Sequence, residues 1–181
     1  MAQRLFFVRH CETTGQAPTA PLTSAGHQQA LELADHFAPQ GVDLLVSSPY
    51  TRARQSLEPL AERLGLAVET DERLAECTLA SPPVADFRGA IRQLFDGPDL
   101  AWPGGESRRQ VTERGRSALD AVFRHPTRTP VVMAHGLLMA FVLGSFDSRF
   151  DYRAWTALTN PDVYCLERDA DGVRVSRAWG A

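Results

Sequence analysis

Short apolar runs alternate with longer stretches of helical periodicity along this chain, and this alternation constrains the fold more than any other feature. Apolar runs of strand length occupy residues 5–8, 44–46, 66–70, 130–134, 163–167 and 173–179. Between these runs, apolar residues recur with the spacing of a helix, as in residues 87–95, 107–123 and 137–144. Strands that alternate with helices predict a three-layer α/β/α fold with a mostly parallel central sheet flanked by helices.

Capping residues mark the ends of the first two predicted helices. Thr23 has the residue type and position of an N-cap, and Gly41 follows the last apolar residue of that helix. Ser48 and Pro49 are predicted as the N-cap and the first residue of the second helix, which ends at Gly65.

The chain has the length of one ordinary domain and the composition of a globular protein. Of its 181 residues, 44% are hydrophobic and 23% are charged, and no repeat or linker divides them. We expect a single domain over residues 1–181. It should end in a β-hairpin, because residues 169–172 read Asp-Ala-Asp-Gly, which is typical of a tight turn.

Charge and cysteine content exclude several classes of function. A net charge of −3 provides no basic field of the kind that binds nucleic acid or anionic membranes. All 19 basic residues are Arg, which excludes a P-loop, Schiff-base or pyridoxal-phosphate lysine. Three cysteines cannot close a disulfide framework, and the apolar runs are too short for a signal peptide or membrane span. We expect a soluble cytoplasmic protein with no nucleic-acid or membrane partner and leave its oligomeric state open.

Side chains able to bind and transfer phosphate follow four of the predicted strands. Arg9 and His10 follow the first strand, Arg52 the second, Glu76 the third and His135 the fourth. In an open α/β sheet, ligands bind at the carboxyl ends of the strands, beside helix N-termini. Guanidinium groups suit phosphate, and a neutral imidazole is a competent nucleophile. The set predicts a phosphate site in which a histidine attacks phosphorus and Glu76 protonates the leaving oxygen.

Six short segments occur in one order between residues 5 and 136. They are Phe-Val-Arg-His-Cys-Glu-Thr at 7–13, Pro-Leu-Thr-Ser-Ala-Gly at 21–26, Ser-Ser-Pro-Tyr-Thr-Arg-Ala-Arg-Gln at 47–55, Arg-Leu-Ala-Glu at 73–76, Pro-Gly-Gly-Glu-Ser at 103–107 and Val-Val-Met-Ala-His-Gly at 131–136. This order resembles the small phosphatase branch of the histidine phosphatase superfamily, also called phosphoglycerate-mutase-like. The resemblance implies that His10 is the nucleophile and Glu76 the proton donor. It also implies that Arg9, Arg52 and His135 form the phosphate pocket, with no metal or cofactor.

Three assignments have competitors in the sequence. Arg52 and Arg54 lie about 200° apart around a helix, so both cannot point at one site, and the resemblance selects Arg52. The resemblance alone selects Glu76 over Glu72 as the proton donor. Thr13 either donates a hydrogen bond to the bound phosphate or has a cap or loop role.

The chain also departs from the family pattern. Cys11 stands where the family has Gly, which could shift the loop. Gly15 and Gln16 lie where many relatives have an Asn that contacts phosphate, so that contact is not expected here. Cys11 and Cys77 each follow a predicted catalytic residue and could lie close together as a redox pair, although two ordinary reduced cysteines are the expectation. Glu12 and Glu106 are assigned structural or rim roles, since a carboxylate would oppose phosphate binding.

Spacing excludes two other phosphatase mechanisms. No cysteine is followed six positions later by Arg, as a cysteine-nucleophile phosphatase requires. The Asp-x-Asp-x-Val pattern at residues 169–173 is followed by only eight residues, too few for the domain that an aspartate nucleophile needs.

We therefore expect a metal-independent phosphomonoesterase that acts on a small phosphorylated metabolite through a phosphohistidine intermediate. The alternatives are phosphoglycerate-mutase-type transfer, a phosphohistidine-protein phosphatase, and a non-catalytic phosphate-binding regulatory module. Four aromatic residues either line the leaving-group pocket or belong to the core: Tyr50, Phe87, Phe95 and Trp102.

Overall fold

The computed structural model describes residues 3–180, so residues 1, 2 and 181 of the predicted domain lie outside it. The six strands of this part are β1 (Gln3–Arg9), β2 (Leu44–Ser47), β3 (Val68–Thr70), β4 (Pro130–Ala134), β5 (Asp162–Asp169) and β6 (Gly172–Arg177). Its six α-helices are α1 (Ser24–Phe37), α2 (Thr51–Leu64), α3 (Phe87–Asp96), α4 (Arg108–Arg124), α5 (Gly136–Gly144) and α6 (Tyr152–Thr156). The alternation of strands and helices expected from the sequence is confirmed.

One six-stranded sheet has the order β3-β2-β4-β1-β5-β6. The pairs β3–β2, β2–β4 and β4–β1 are parallel, whereas β5 and β6 run antiparallel and form the predicted C-terminal hairpin. Arg9 pairs in register with Ala134, and Ser47 pairs with Met133. The carboxyl ends of β1, β2 and β4 therefore meet at one edge of the sheet.

Both faces of the sheet are covered by helices, which gives the predicted three layers. Alternate residues of β1 point to opposite sides: Phe7 packs in one cluster with α3, α4 and α5, and Phe6 packs in another with α1 and α2. Helix α5 is apolar all round and its residues are buried from Gly136 to Leu143. None of the helices between residues 3 and 180 is long and apolar enough to cross a membrane.

The start of α2 differs from the prediction. Thr23 caps α1 as predicted, accepting a hydrogen bond from Gly26 N at 2.9 Å. Ser48, however, is not an N-cap: α2 begins at Thr51 with Tyr50 as its N-cap. The Ser48 hydroxyl lies 2.7 Å from His135 Nε2 and accepts a hydrogen bond from Tyr50 N. Because of these contacts, residues 48–50 remain non-helical at the edge of the sheet.

Other boundaries shift by a few residues. Strand β3 starts at Val68 rather than at residue 66, because Leu66 N is bonded to Ala61 O as part of the end of α2. Ser107 is the N-cap of α4, held by a capping box with Gln110. The five-residue helix α6 has no counterpart in the sequence prediction.

Candidate active site

The carboxyl edge of the parallel strands carries a cavity of about 520 Å³. Its lining includes Arg9, Arg52 and Glu76, three of the predicted site residues. A second cavity of about 770 Å³ lies at the opposite ends of α3 and α5 and is lined by none of them. The smaller cavity is therefore the candidate active site.

His10 follows β1 and is almost fully buried. Its Nδ1 lies 2.7 Å from the backbone oxygen of Cys11, and its Nε2 accepts a hydrogen bond of 3.2 Å from Arg52 Nε. A carbonyl oxygen only accepts, so Nδ1 carries the proton and Nε2 holds a lone pair. Burial, aided by the nearby charges of Arg52 and Arg9, lowers the pKa of His10 to about 3. The imidazole is thus held neutral, with the lone pair of Nε2 toward Arg52.

Arg52 lies in the first turn of α2 and is 1% exposed. Besides the contact with His10, its Nη1 donates to Gln16 O at 3.2 Å and to Ala17 O at 2.9 Å. Its guanidinium also lies over the Tyr50 ring, 4.9 Å from the centroid. Arg54 is exposed on the outer side of α2. The structure therefore places Arg52, not Arg54, at the site.

Two buried nitrogen atoms at this edge have no hydrogen-bond partner in residues 3–180. One is Arg9 Nε and the other is His135 Nδ1. Arg9 is held from its far side, since Nη1 donates to Leu158 O at 2.9 Å. His135 is fully buried, and burial lowers its pKa well below the usual range. Unpaired buried nitrogens are costly, so both are suited to receive the oxygens of an anionic ligand.

Glu76 lies at the N-terminus of α5. Its Oε1 accepts hydrogen bonds from Cys77 N at 2.8 Å and Leu138 N at 2.9 Å, and its Oε2 accepts one from Leu137 N at 3.1 Å. A carboxylate at a helix N-terminus is favoured by the helix dipole. Glu72 is exposed in the turn Glu72–Leu74 and does not line the cavity. The structure thus places Glu76 in the cavity and Glu72 outside it.

Arg114 on α4 was not predicted from the sequence, yet it anchors the segment that carries Glu76. Its Nη1 donates to Arg73 O at 2.8 Å and Ala75 O at 2.7 Å. Its Nε is 2.7 Å from an oxygen of Glu106, whose other oxygen accepts from Thr78 N at 3.0 Å. Glu106 therefore has the structural role expected of it, as half of an ion pair that fixes the loop before and after Glu76.

Two further residues missed in the sequence hold the backbone around His10. Asn160 Nδ2 donates to His10 O at 2.7 Å. Ser56 Oγ accepts from Cys11 N at 2.9 Å and donates to Arg52 O at 2.7 Å. Because β5 pairs antiparallel with β1, the residues before β5 necessarily lie beside the end of β1, and this pairing was the available clue to Asn160.

Thr13 and Glu12 lie in the loop after His10. The Thr13 hydroxyl donates to Pro21 O at 3.0 Å, and Thr13 pairs with Leu22 as an isolated bridge. Glu12 accepts from the hydroxyl of Thr23 at 2.7 Å. These contacts favour the loop role for Thr13 over phosphate binding, and they give Glu12 its expected structural role. Gln16 does line the cavity.

Cys11 and Cys77 are free and buried in the two core clusters on opposite faces of the sheet. The two thiols therefore lie on opposite faces of the sheet rather than close together, which is unfavourable for a redox pair. Burial raises the pKa of Cys11 to about 12 and also raises the pKa of Cys77, so both thiols stay protonated at neutral pH.

The four aromatic residues divide evenly between pocket and core. Tyr50 and Phe87 line the cavity, whereas Trp102 and Phe95 pack against the core cluster of α3, α4 and α5. Trp155 of α6, which the sequence analysis did not select, also lines the cavity.

The assembled site is a neutral histidine close to the guanidinium groups of Arg52 and Arg9. Its unpaired donors suit a group with several anionic oxygens, of which phosphate is the commonest. Among residues 3–180, no group of three or more His, Cys, Asp or Glu side chains is arranged to hold a metal ion.

Comparison with known proteins identifies relatives with the same architecture. The chain is 29% identical over 161 residues to the probable phosphoglycerate mutase GpmB of Yersinia enterocolitica, an alignment that covers 78% of this chain and 74% of the relative. Mycobacterial hydrolase 1 superposes with a TM-score of 0.79 at 28% identity and covers 100% of this chain and 99% of its own. A mycobacterial glucosyl-3-phosphoglycerate phosphatase, solved with inorganic phosphate, superposes with a TM-score of 0.77 at 28% identity, covering 99% and 98%.

The family assignment rests on the whole domain rather than on one motif. The sequence model of the histidine phosphatase superfamily (branch 1) matches residues 5–179. That range contains all six strands except the first residues of β1, and every residue of the candidate site. The chain belongs to the histidine phosphatase superfamily, branch 1.

Proposed function

We propose that this protein hydrolyses phosphomonoesters by transferring the phosphoryl group to Nε2 of His10. The observation that carries the proposal is the hydrogen bond from His10 Nδ1 to Cys11 O, which leaves the Nε2 lone pair facing Arg52. A histidine that served only to bind phosphate would present an N–H to it. Here the nitrogen toward the anion site is the unprotonated one.

The first step forms a bond from His10 Nε2 to phosphorus and breaks the ester P–O bond. Glu76, in its protonated form, gives its proton to the departing oxygen, so that an alcohol leaves and a phosphohistidine remains. In the second step water attacks phosphorus, Glu76 takes back a proton from that water, and the P–N bond breaks. The products are inorganic phosphate and neutral His10, and the enzyme returns to its starting state.

Arg9, Arg52 and His135 stabilise the phosphoryl oxygens in both steps. Ser48 Oγ accepts from Tyr50 N and lies 2.7 Å from His135 Nε2, and we assign its hydroxyl hydrogen to Nε2 so that His135 can donate toward the phosphate. The proton of His135 is then on Nδ1, the unpartnered nitrogen. Donors fixed in advance at the developing charge account for much of the rate in phosphoryl transfer.

Turnover of para-nitrophenyl phosphate tests this proposal. We expect hydrolysis that is unchanged by EDTA and lost in His10→Ala, with circular dichroism showing that the variant is folded. Inactivity of the wild-type protein across a broad panel of phosphomonoesters would instead support a phosphate-binding module. Activity confined to phosphohistidine in proteins would support that phosphatase class, and isomerisation of phosphoglycerate stimulated by bisphosphoglycerate would support a mutase.

A further inference from the structure

The part of the active-site cavity away from His10 is apolar, and its lining bears on the substrate, provided that the proposed phosphatase function holds. Its wall is formed by apolar side chains from the loop after Glu76, from α3 and from α6, namely Leu79, Pro83, Val84, Phe87, Ile91 and Trp155. The uncharged polar side chains of the lining are few, namely Gln16, Tyr50, Cys77 and Thr78. This wall is where the leaving group of a bound phosphomonoester must lie.

The charged side chains that line the cavity, among the residues the structure describes, are Arg9, Arg52 and Glu76. Both arginines lie at the phosphate end. Arg52 Nε is 3.2 Å from His10 Nε2. Arg9 packs against Gly136, the residue after His135, so closely that a Cβ added to this glycine would lie 3.0 Å from Arg9 Nε. Neither is left to bind a second anionic group on the substrate. The third ionisable side chain, Glu76, is an acid and provides no cation for one.

Arg114, which holds the loop around Glu76, is already paired. Arg114 forms an ion pair with Glu106 and donates to the backbone oxygens of Arg73 and Ala75. Arg92 lines the other cavity, where its guanidinium lies 4.6 Å from the centroid of the Tyr152 ring. The lining away from the phosphate end thus offers no cation to a carboxylate on the leaving group, and a carboxylate placed against this apolar wall would lose hydration without that compensation.

Phe87 extends the apolar wall to the rim of the cavity. It is the first residue of α3, at the rim of the cavity, and it is 54% exposed, more than any other large hydrophobic residue in the described part of the chain. The Asp86 side chain caps this helix through Gly89 N at 2.8 Å, so the position of Phe87 is fixed. An exposed aromatic ring beside a pocket is typical of a ligand-binding surface.

We infer that the natural substrate is a phosphomonoester whose leaving group is uncharged and apolar or aromatic. The site discriminates against phosphomonoesters that carry a carboxylate, which include phosphoglycerate and phosphoserine. This separates the chain in specificity from relatives whose names refer to phosphoglycerate.

Phenyl phosphate and 4-carboxyphenyl phosphate form the matched pair for this test, because they differ by a single carboxylate distant from phosphorus. We expect kcat/KM to be at least about tenfold lower for the carboxylated compound, with 1-naphthyl phosphate at least as good as phenyl phosphate. Equal or better turnover of 4-carboxyphenyl phosphate, or of 3-phosphoglycerate, would overturn the inference and leave the phosphatase function intact. Inactivity toward every compound would instead count against the proposed function itself.

Three variants connect the preference to the wall. Phe87→Ala and Trp155→Ala should raise KM for 1-naphthyl phosphate about five- to tenfold and leave inhibition by inorganic phosphate unchanged. Leu100→Ala, at an exposed leucine outside the cavity, is the matched control and should change neither. Position 87 is exposed and tolerates charge. Phe87→Arg should therefore raise kcat/KM for 4-carboxyphenyl phosphate relative to kcat/KM for phenyl phosphate. An unchanged ratio in the folded Phe87→Arg protein would contradict the assignment of this wall to the leaving group.

Discussion

His10 donates a hydrogen bond from Nδ1 to the backbone oxygen of Cys11, over 2.7 Å. The orienting group is thus the main chain of position 11, which any residue supplies. Positive φ values among residues 3–180 occur only at glycines, so the backbone of Cys11 adopts none, and its side chain is buried beside α1 and α2. The presence of Cys instead of the family's Gly at position 11 is therefore compatible with this orientation of His10.

Arg52 and Arg54 provide a matched pair of substitutions. Arg52→Ala removes a buried guanidinium from the phosphate end, and we expect kcat/KM to fall on the order of 100- to 1000-fold. Arg52→Lys should also be impaired, since an ammonium cannot reproduce the planar fork that contacts both His10 and the loop after it. Arg54→Ala, on the exposed side of α2, should stay within twofold of wild type. Comparable losses in Arg52→Ala and Arg54→Ala would exclude the proposed geometry.

Substitutions of Glu76 and Glu72 distinguish the loss of a proton donor from the loss of a negative charge in the same region. Glu76→Gln should lower kcat about 100-fold for an alkyl phosphate and much less for para-nitrophenyl phosphate, whose leaving group needs no proton. Glu72 lies outside the cavity, so Glu72→Gln should leave kcat unchanged with both substrates. The measurement is kcat across leaving groups of graded pKa. A Glu76→Gln protein with the same leaving-group dependence as wild type would assign the acid to another residue.

We expect Arg114 to act through Glu76, by positioning the segment that carries it. Arg114→Met removes the hydrogen bonds to Arg73 O and Ala75 O, and we expect kcat/KM to fall about tenfold to 100-fold with a steeper dependence on leaving-group pKa. Arg109→Met is the control, because that guanidinium on the same helix pairs with the exposed Asp99. Loss of stability without a change in leaving-group dependence would show that the role of Arg114 is structural only.

Acid should destabilise the fold through His10. Its folded-state pKa of about 3 lies below the value of about 6.5 that it takes in the unfolded chain. Between these values the unfolded chain binds a proton that the folded chain does not. The free energy of unfolding therefore falls with decreasing pH, by up to about 1.4 kcal/mol per pH unit for this side chain. His10→Asn removes the group, so urea unfolding between pH 7.5 and 4.5 should show a shallower pH dependence. Parallel curves for the two proteins would contradict a buried neutral His10.

The sequence predicted those parts of the site that depend on local rules. Arg9 and His135 follow parallel strands, and parallel strands in one sheet bring their carboxyl ends together whatever the details of packing. The choice of Arg52 over Arg54 rested on helical geometry and the resemblance, and the structure places the two residues accordingly. Ser48 misled the prediction because its residue type suits an N-cap, whereas its hydroxyl contacts His135, 87 residues away.

The residues that were missed depend on tertiary contacts between distant segments. Arg114 reaches back 39 residues to Ala75, and Asn160 reaches back 150 residues to His10. Neither residue type in its local sequence indicates such a contact. Trp155 lies in a helix of five residues, too short to show a periodic pattern. Trp102 and Phe95 could not be separated from Phe87 and Tyr50, since aromatic residues suit a core and a pocket equally.

Rapid-quench labelling tests the central claim most directly. The protein would be mixed with a ³²P-labelled phosphomonoester, quenched in base within the first turnover, digested and mapped by mass spectrometry. We predict an acid-labile, base-stable phosphoryl group on His10 that is absent from the His10→Ala protein. Phosphate trapped on any other side chain during full turnover would contradict the account.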